Sequence, residues 1–160
     1  MALLNGLAGA IRTDRFLKLL RVYPPFFGAG IVLRSVDRDL TAIEVEMKLR
    51  FFNQNFVGTH FGGSLYSMCD PWFMIMLIHQ LGDSYVVWDK SATIDFLRPG
   101  RGRVRARFEL PPERVAALKA EVDEKGKINP TFEATVVDAG NAVVAKVTKL
   151  LSIRRKGARR

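Results

Sequence analysis

Residues 62–81 read Gly62-Gly63-Ser64-Leu65-Tyr66-Ser67-Met68-Cys69-Asp70-Pro71-Trp72-Phe73-Met74-Ile75-Met76-Leu77-Ile78-His79-Gln80-Leu81. From Ser64 to Leu81 the segment is apolar almost all round, and a helix of that kind must be buried on most sides. The apolar run is broken by His79 and Gln80, short of the ~18–20 residues that span a bilayer. Pro71 lacks the amide that would reach back to the Ser67 carbonyl, so the axis is expected to bend there. Asp70 places a carboxylate in this apolar setting, which is costly unless the group is paired or does chemistry.

Working outward, the helix is preceded by Phe51–Gly63, a glycine- and asparagine-bearing stretch without period that reads as a shaped loop. Before it, Ala29–Leu49 has period two. Ile31, Leu33 and Val36, then Ile43, Val45, Met47 and Leu49, alternate with polar residues around a turn at Asp37–Asp39, the pattern of a hairpin with one dry face. Thr13–Val22 is expected to be a helix stopped by Tyr23-Pro24-Pro25. After the central segment come strand-like runs at Tyr85–Leu97, Arg103–Leu110, Thr131–Asp138 and Ala142–Ile153. A surface helix at Pro111–Glu124 interrupts them, and Asp138-Ala139-Gly140-Asn141 forms a tight hairpin turn. Two strands, one buried helix and four strands imply an α+β domain whose antiparallel sheet curls around the helix.

At 160 residues and +9 formal charge (25 basic against 16 acidic residues), the chain is sized for one domain. Five of the basic residues lie in the last seven, Arg154-Arg155-Lys156-Gly157-Ala158-Arg159-Arg160, so the body carries only +4. This reads as a solvated tail. Without zinc-ligand spacing or an RNA-binding aromatic signature beside it, a nucleic-acid partner is disfavoured. The organisation expected is an N-terminal helical extension over 1–27, one domain over 28–153 and the basic tail over 154–160. One cysteine, Cys69, fits a reducing cytoplasm, and the apolar N-terminus lacks the basic region and cleavage site of a signal peptide.

Several signatures fail. Gly62-Gly63-Ser64-Leu65-Tyr66 ends in tyrosine where a nucleophile elbow needs glycine. Gly28-Ala29-Gly30 leads into a strand, whereas a dinucleotide fingerprint opens a helix. His60, His79 and Cys69 supply no metal spacing. What remains is Asn55 to Asp70. Gly62 and Gly63 open the buried helix, so free amides and the positive end of its dipole point outward. Such an end can hold a polarised carbonyl oxygen. Asp70 follows Gly63 by seven residues, nearly on the same face.

The stretch Asn55–Asp70, with Ala92-Thr93-Ile94-Asp95-Phe96-Leu97-Arg98-Pro99-Gly100, resembles the hotdog-fold thioesterases, particularly the phenylacetate-pathway type. An asparagine seven residues before the glycine pair and an aspartate seven after its second glycine are the family's spacing. Here they fall on Asn55 and Asp70. The family's histidine before the glycines is replaced by Phe61, with His60 displaced by one, and Pro71 follows Asp70 where characterised members lack proline. The resemblance implies a long central helix wrapped by a six-stranded antiparallel sheet. It also implies dimers or dimers of dimers with active sites shared between protomers.

A seven-residue helical separation is ~10 Å, so Asp70 and the Gly63 amide of one chain cannot act on one carbonyl. The implied site takes Gly63, with Gly62 as a second donor, from one protomer and Asp70 from the other. Asn55 orients water or the carboxylate, and Asp70 serves as general base or nucleophile. The implied substrate is an acyl-CoA, with coenzyme A as part of the substrate and no separate cofactor or metal. Its phosphates would meet Arg98, Arg101 and Arg103. Its acyl group would meet Trp72 and its neighbours, with His60, Phe61 and Ser64 lining the approach. Against this stands a non-catalytic acyl-CoA or lipid-binding hotdog module, separable by thiol release.

Overall fold

The computed structural model describes residue 20 and residues 22–157. The expected Thr13–Val22 helix lies almost entirely outside the described residues. Tyr23-Pro24-Pro25 does not simply end a helix. It starts one, α1 (Pro24–Ala29), because proline suits the first helical turn, where no amide bond is required. Gly30 closes α1 in the left-handed conformation, φ 70°.

The hairpin follows as β1 (Ile31–Val36) and β2 (Ala42–Lys48). The central segment then forms two helices rather than one bent helix: α2 (Gly62–Ser67) and α3 (Trp72–Leu81). Pro71 supplies the reason. Between the helices the backbone tightens, with Cys69 N donating to Tyr66 O at 2.8 Å and Asp70 N to Ser67 O at 3.4 Å. The Ser67 carbonyl therefore keeps a partner, contrary to the expectation that Pro71 would leave it open.

The remaining elements are β3 (Tyr85–Phe96), β4 (Arg103–Glu109), α4 (Pro112–Lys125), β5 (Lys127–Ile128), β6 (Thr131–Asp138) and β7 (Val143–Arg155). The sheet is antiparallel in the order β1-β2-β4-β6-β7-β3, with β5 also on β7. It has seven strands, one more than expected. Lys127 pairs with Arg154 and Thr131 with Leu150, so β5 and β6 share one track along β7. Pro130, which has no amide to give, splits that track, although its carbonyl still accepts Leu151 N at 3.0 Å. β7 also runs two residues beyond the expected domain end. Arg154 and Arg155 pair with Val86 and Tyr85 and belong to the sheet, not to a tail.

The sheet's inner face and α3 enclose the core. Trp72, Met76 and Leu77 are fully buried, and Phe73 stacks on Phe132 at 4.9 Å and meets Phe108 edge-on at 5.4 Å. One sheet covers α3 better than its composition suggested, for Met74, Ile75 and Ile78 are already partly buried within the chain. Among the described residues no helix is long and apolar enough to cross a membrane.

Candidate active site

The glycine pair is presented by a tightly tied loop. Asn53 anchors its start, its amide donating to Ala29 O and Lys48 O, each at 2.9 Å. Asn55 accepts Val57 N and Thr59 N at its side-chain oxygen and donates to Thr59 Oγ1 and His60 O. Its side chain thus fixes the loop, and Gly58 makes the reversal at φ 80°. His60 N then donates to Gly100 O at 3.0 Å, joining the loop to the Phe96–Arg101 turn.

Between these two loops lies a cleft of about 550 Å³, lined by Asn55, His60, Gly62, Leu65, Phe96, Arg98 and Arg101 among others. Of the expected site residues, the fold gathers Asn55, His60, Gly62, Arg98 and Arg101 here. Gly63, Phe61 and Ser64 adjoin it on the same loop and helix start but are not among its lining residues. Arg103 lies elsewhere, bound to Glu46 at 3.0 Å. Trp72 is a core residue, 0 % exposed, its indole N–H on Met68 O at 2.7 Å, so it does not reach a ligand in this cleft.

Both glycine α-carbons are closely packed. A methyl group on Gly62 would lie 2.8 Å from the Phe96 ring, and one on Gly63 would lie 2.5 Å from that of Phe61. Aromatic rings, rather than open space, cover the two α-carbons. The His60 ring is buried, with Nε2 3.1 Å from Gly102 O. Burial holds its pKa below the ordinary 6.5, partly offset by that hydrogen bond. Cys69 is wholly buried and its thiol is pushed up to about 12 by desolvation, the environment of a packing residue.

Asp70 stands apart from the cleft, in the turn between α2 and α3, with its side chain 48 % exposed. The Tyr66 hydroxyl donates to its Oδ1 at 2.7 Å. Lys149, from β7, donates to the same Oδ1 at 3.0 Å and also to the Asp70 backbone carbonyl. The Lys149 side chain is only 1 % exposed, and its ammonium also meets Asp89 Oδ2 at 3.1 Å. Burial raises the Asp89 carboxyl above its ordinary range, opposed by Lys149. Burial and the Asp70 charge raise the Tyr66 phenol as well. Lys149 and Asp89 escaped the sequence reading. Their signal was parity: Lys149 falls in the inward row Ala145, Val147, Leu151, Ile153, and Asp89 follows Tyr85 and Val87 in the inward row of β3. Among the described residues no group of three or more His, Cys, Asp or Glu could hold a metal ion.

Residues 13–153 match a family described as a domain of unknown function, DUF4442. The chain belongs to this family. No curated protein sequence matches this DUF4442 chain. Solved structures do. One is a protein of unknown function from Pseudomonas aeruginosa, described further as "Probable Thioesterase". It is 22% identical, with TM-score 0.81 over 91% of this chain and 97% of that one. A thioesterase from Haemophilus influenzae is 14% identical, with TM-score 0.66 over 92% and 94%. The PaaI protein from the phenylacetic acid degradation operon of E. coli is 19% identical, with TM-score 0.61 over 96% of each chain. At such identities the likeness is one of fold: the DUF4442 chain shares the hotdog architecture of these three structures.

Proposed function

We propose that this DUF4442 protein hydrolyses the thioester of an acyl-CoA at a site completed by two protomers. The observation that carries the reading is the half-exposed Asp70 carboxylate, set in the break of an otherwise apolar helical segment. Tyr66 and the buried Lys149 offset its cost at Oδ1, while no hydrogen bond or ion pair among the described residues reaches Oδ2. The separation of Asp70 from the cleft supports a shared site, because one chain's cleft offers the Gly62 backbone, Arg98 and Arg101 but no carboxylate.

In the proposed reaction the thioester carbonyl lies against the glycine amides of one protomer. Asp70 of the other takes a proton from water as the water oxygen bonds to the carbonyl carbon. The C–S bond then breaks, and the thiolate leaves and is protonated. In the nucleophilic variant an Asp70 oxygen bonds to that carbon, the C–S bond breaks and the thiolate leaves and is protonated, and water then hydrolyses the mixed anhydride to the acid and free Asp70. Arg98 and Arg101, both exposed at the cleft, suit the phosphates of coenzyme A.

Thiol release from a panel of acyl-CoA chain lengths tests the reading. Wild type is expected to turn over at least one of them, and Asp70→Asn to lower kcat by about 10²–10⁴. Full activity in Asp70→Asn removes the catalytic assignment. Binding of acyl-CoA without thiol release selects a non-catalytic binding module, a reading that the aromatic cover over both glycines favours.

A further inference from the structure

Asp70 has two carboxylate oxygens in unlike settings. Oδ1 receives the Tyr66 hydroxyl at 2.7 Å and the Lys149 ammonium at 3.0 Å. Among the described residues no hydrogen bond or ion pair reaches Oδ2. Lys149 grips the residue at a second point, the backbone carbonyl that the Pro71 break leaves outside both helices. Only together with the Tyr66 hydroxyl do these two contacts from one buried cation, one to the main chain and one to the side chain, hold the carboxylate in place. Lys149 is itself held. Its ammonium reaches Asp89, where β3 carries a bulge between Asp89 and Ser91. An extra residue there keeps Asp89 inward while the strand beyond it reverses its faces, so Ala92 and Ile94 turn inward in place of odd-numbered residues.

From this geometry we infer that Lys149 is a positioning residue, fixed by Asp89, which with Tyr66 locks the Asp70 carboxylate in one rotamer and leaves Oδ2 as its only reactive oxygen. The inference rests on Asp70 being the catalytic group of the proposed hydrolase, but the positioning it describes can be measured without turnover. Lys149 itself, at 1 % exposure, does not meet the substrate. Its influence passes through Asp70. The ammonium takes the place of water as the partner of Oδ1, so less solvent reorganisation is required there when Oδ2 accepts a proton or attacks carbon. A carboxylate free to rotate would present either oxygen, at varying distance, and would lose rate without losing substrate affinity.

Two variants separate this from a merely structural ion pair. Tyr66→Phe deletes one hydroxyl from a half-buried ring and keeps its packing. Lys149→Met keeps most of the stem and removes the cation. The first readout is the Asp70 Cα–Cβ rotamer from NMR scalar couplings. A single staggered rotamer is expected in wild type and averaging in both variants. The second is kinetic: kcat falls about tenfold or more in Tyr66→Phe, and further in Lys149→Met, with KM unchanged, on the scale of hydrogen bonds to charged groups. The third is the Asp70→Asn background, in which Tyr66→Phe costs nothing further because the group it positions is gone. An averaged rotamer in wild type, or a locked one in Tyr66→Phe, overturns the inference, whether or not Lys149→Met folds. So does unchanged kcat in Tyr66→Phe alongside a dead Asp70→Asn. If no acyl-CoA is turned over, the hydrolase reading fails by itself and the couplings still decide the positioning.

Discussion

His60 shows how one side chain can hold two loops and record the pH. Its backbone amide ties to Gly100 and its ring to Gly102, so the imidazole is a strut between the glycine loop and the arginine turn. Its pKa is lowered by burial, so the unfolded chain takes up a proton more readily than the folded one. Stability rises with pH wherever the unfolded state binds more protons. The contribution is therefore fully present above 6.5 and is lost as the pH falls beneath it towards the folded value. Denaturant midpoints between about pH 5 and 7.5 are expected to drop on the acid side, and His60→Gln is expected to flatten that drop. An equally steep fall in the variant would assign the effect to other groups. Sequence reading set His60 beside the glycines as a substrate contact. It could not tell a strut from a ligand contact, because that depends on which backbone carbonyl the ring meets.

Among the elements, β7 is the one whose length matters most for the site. It carries Lys149 inward, pairs with β3, β5 and β6, and continues through Arg155. Its end is firmly tied: Arg155 N donates to Gly126 O at 3.1 Å and, just past the strand, Lys156 N to Ser84 O at 2.8 Å. Removing the chain from Arg154 onward deletes several such bonds, each worth about 0.5–1.5 kcal/mol, and should lower unfolding stability by about 2–4 kcal/mol. Arg154→Gln with Arg155→Gln keeps the backbone pairing and should cost less than about 1 kcal/mol. Urea denaturation of the two variants distinguishes strand from charge. Equal effects would restore the reading of these residues as a basic tail. That reading failed because five positive charges in seven residues outweighed the alternation, and strand pairing depends on the partner as much as on the segment.

For the whole molecule the decisive feature is what one chain leaves uncovered. β3 is an edge strand with Trp88 61 % and Phe96 56 % exposed, while the cleft it borders has no carboxylate of its own. Exposed apolar surface on an open edge favours association. The shared-site proposal therefore expects a dimer or larger assembly by light scattering at micromolar concentration. It also expects Asp70→Asn and Gly63→Leu, each inactive alone, to regain a fraction of wild-type thiol release once their subunits exchange. The mixed dimer rebuilds one site from an intact Asp70 and an intact Gly63. Exchange demonstrated without rescue would overturn the shared site.

The sequence by itself determined the α+β order, the buried central segment, the hairpin and the glycine loop, because each is written in local periodicity and turn chemistry. It also placed a carboxylate where only a function or a partner could sustain it. Tertiary structure alone decided the rest. Pro130 divided one track of the sheet into two strands, and Pro71 divided the central helix, since the energy of a missing amide depends on what can replace it nearby. Phe61 and Phe96 came to rest on the glycines. Lys149 met Asp70 across 79 residues of sequence and Asp89 across 60. No local rule pairs groups so far apart. A lysine in an apolar row announces that it needs a carboxylate, but only the curl of the sheet over the helix determines which one it finds.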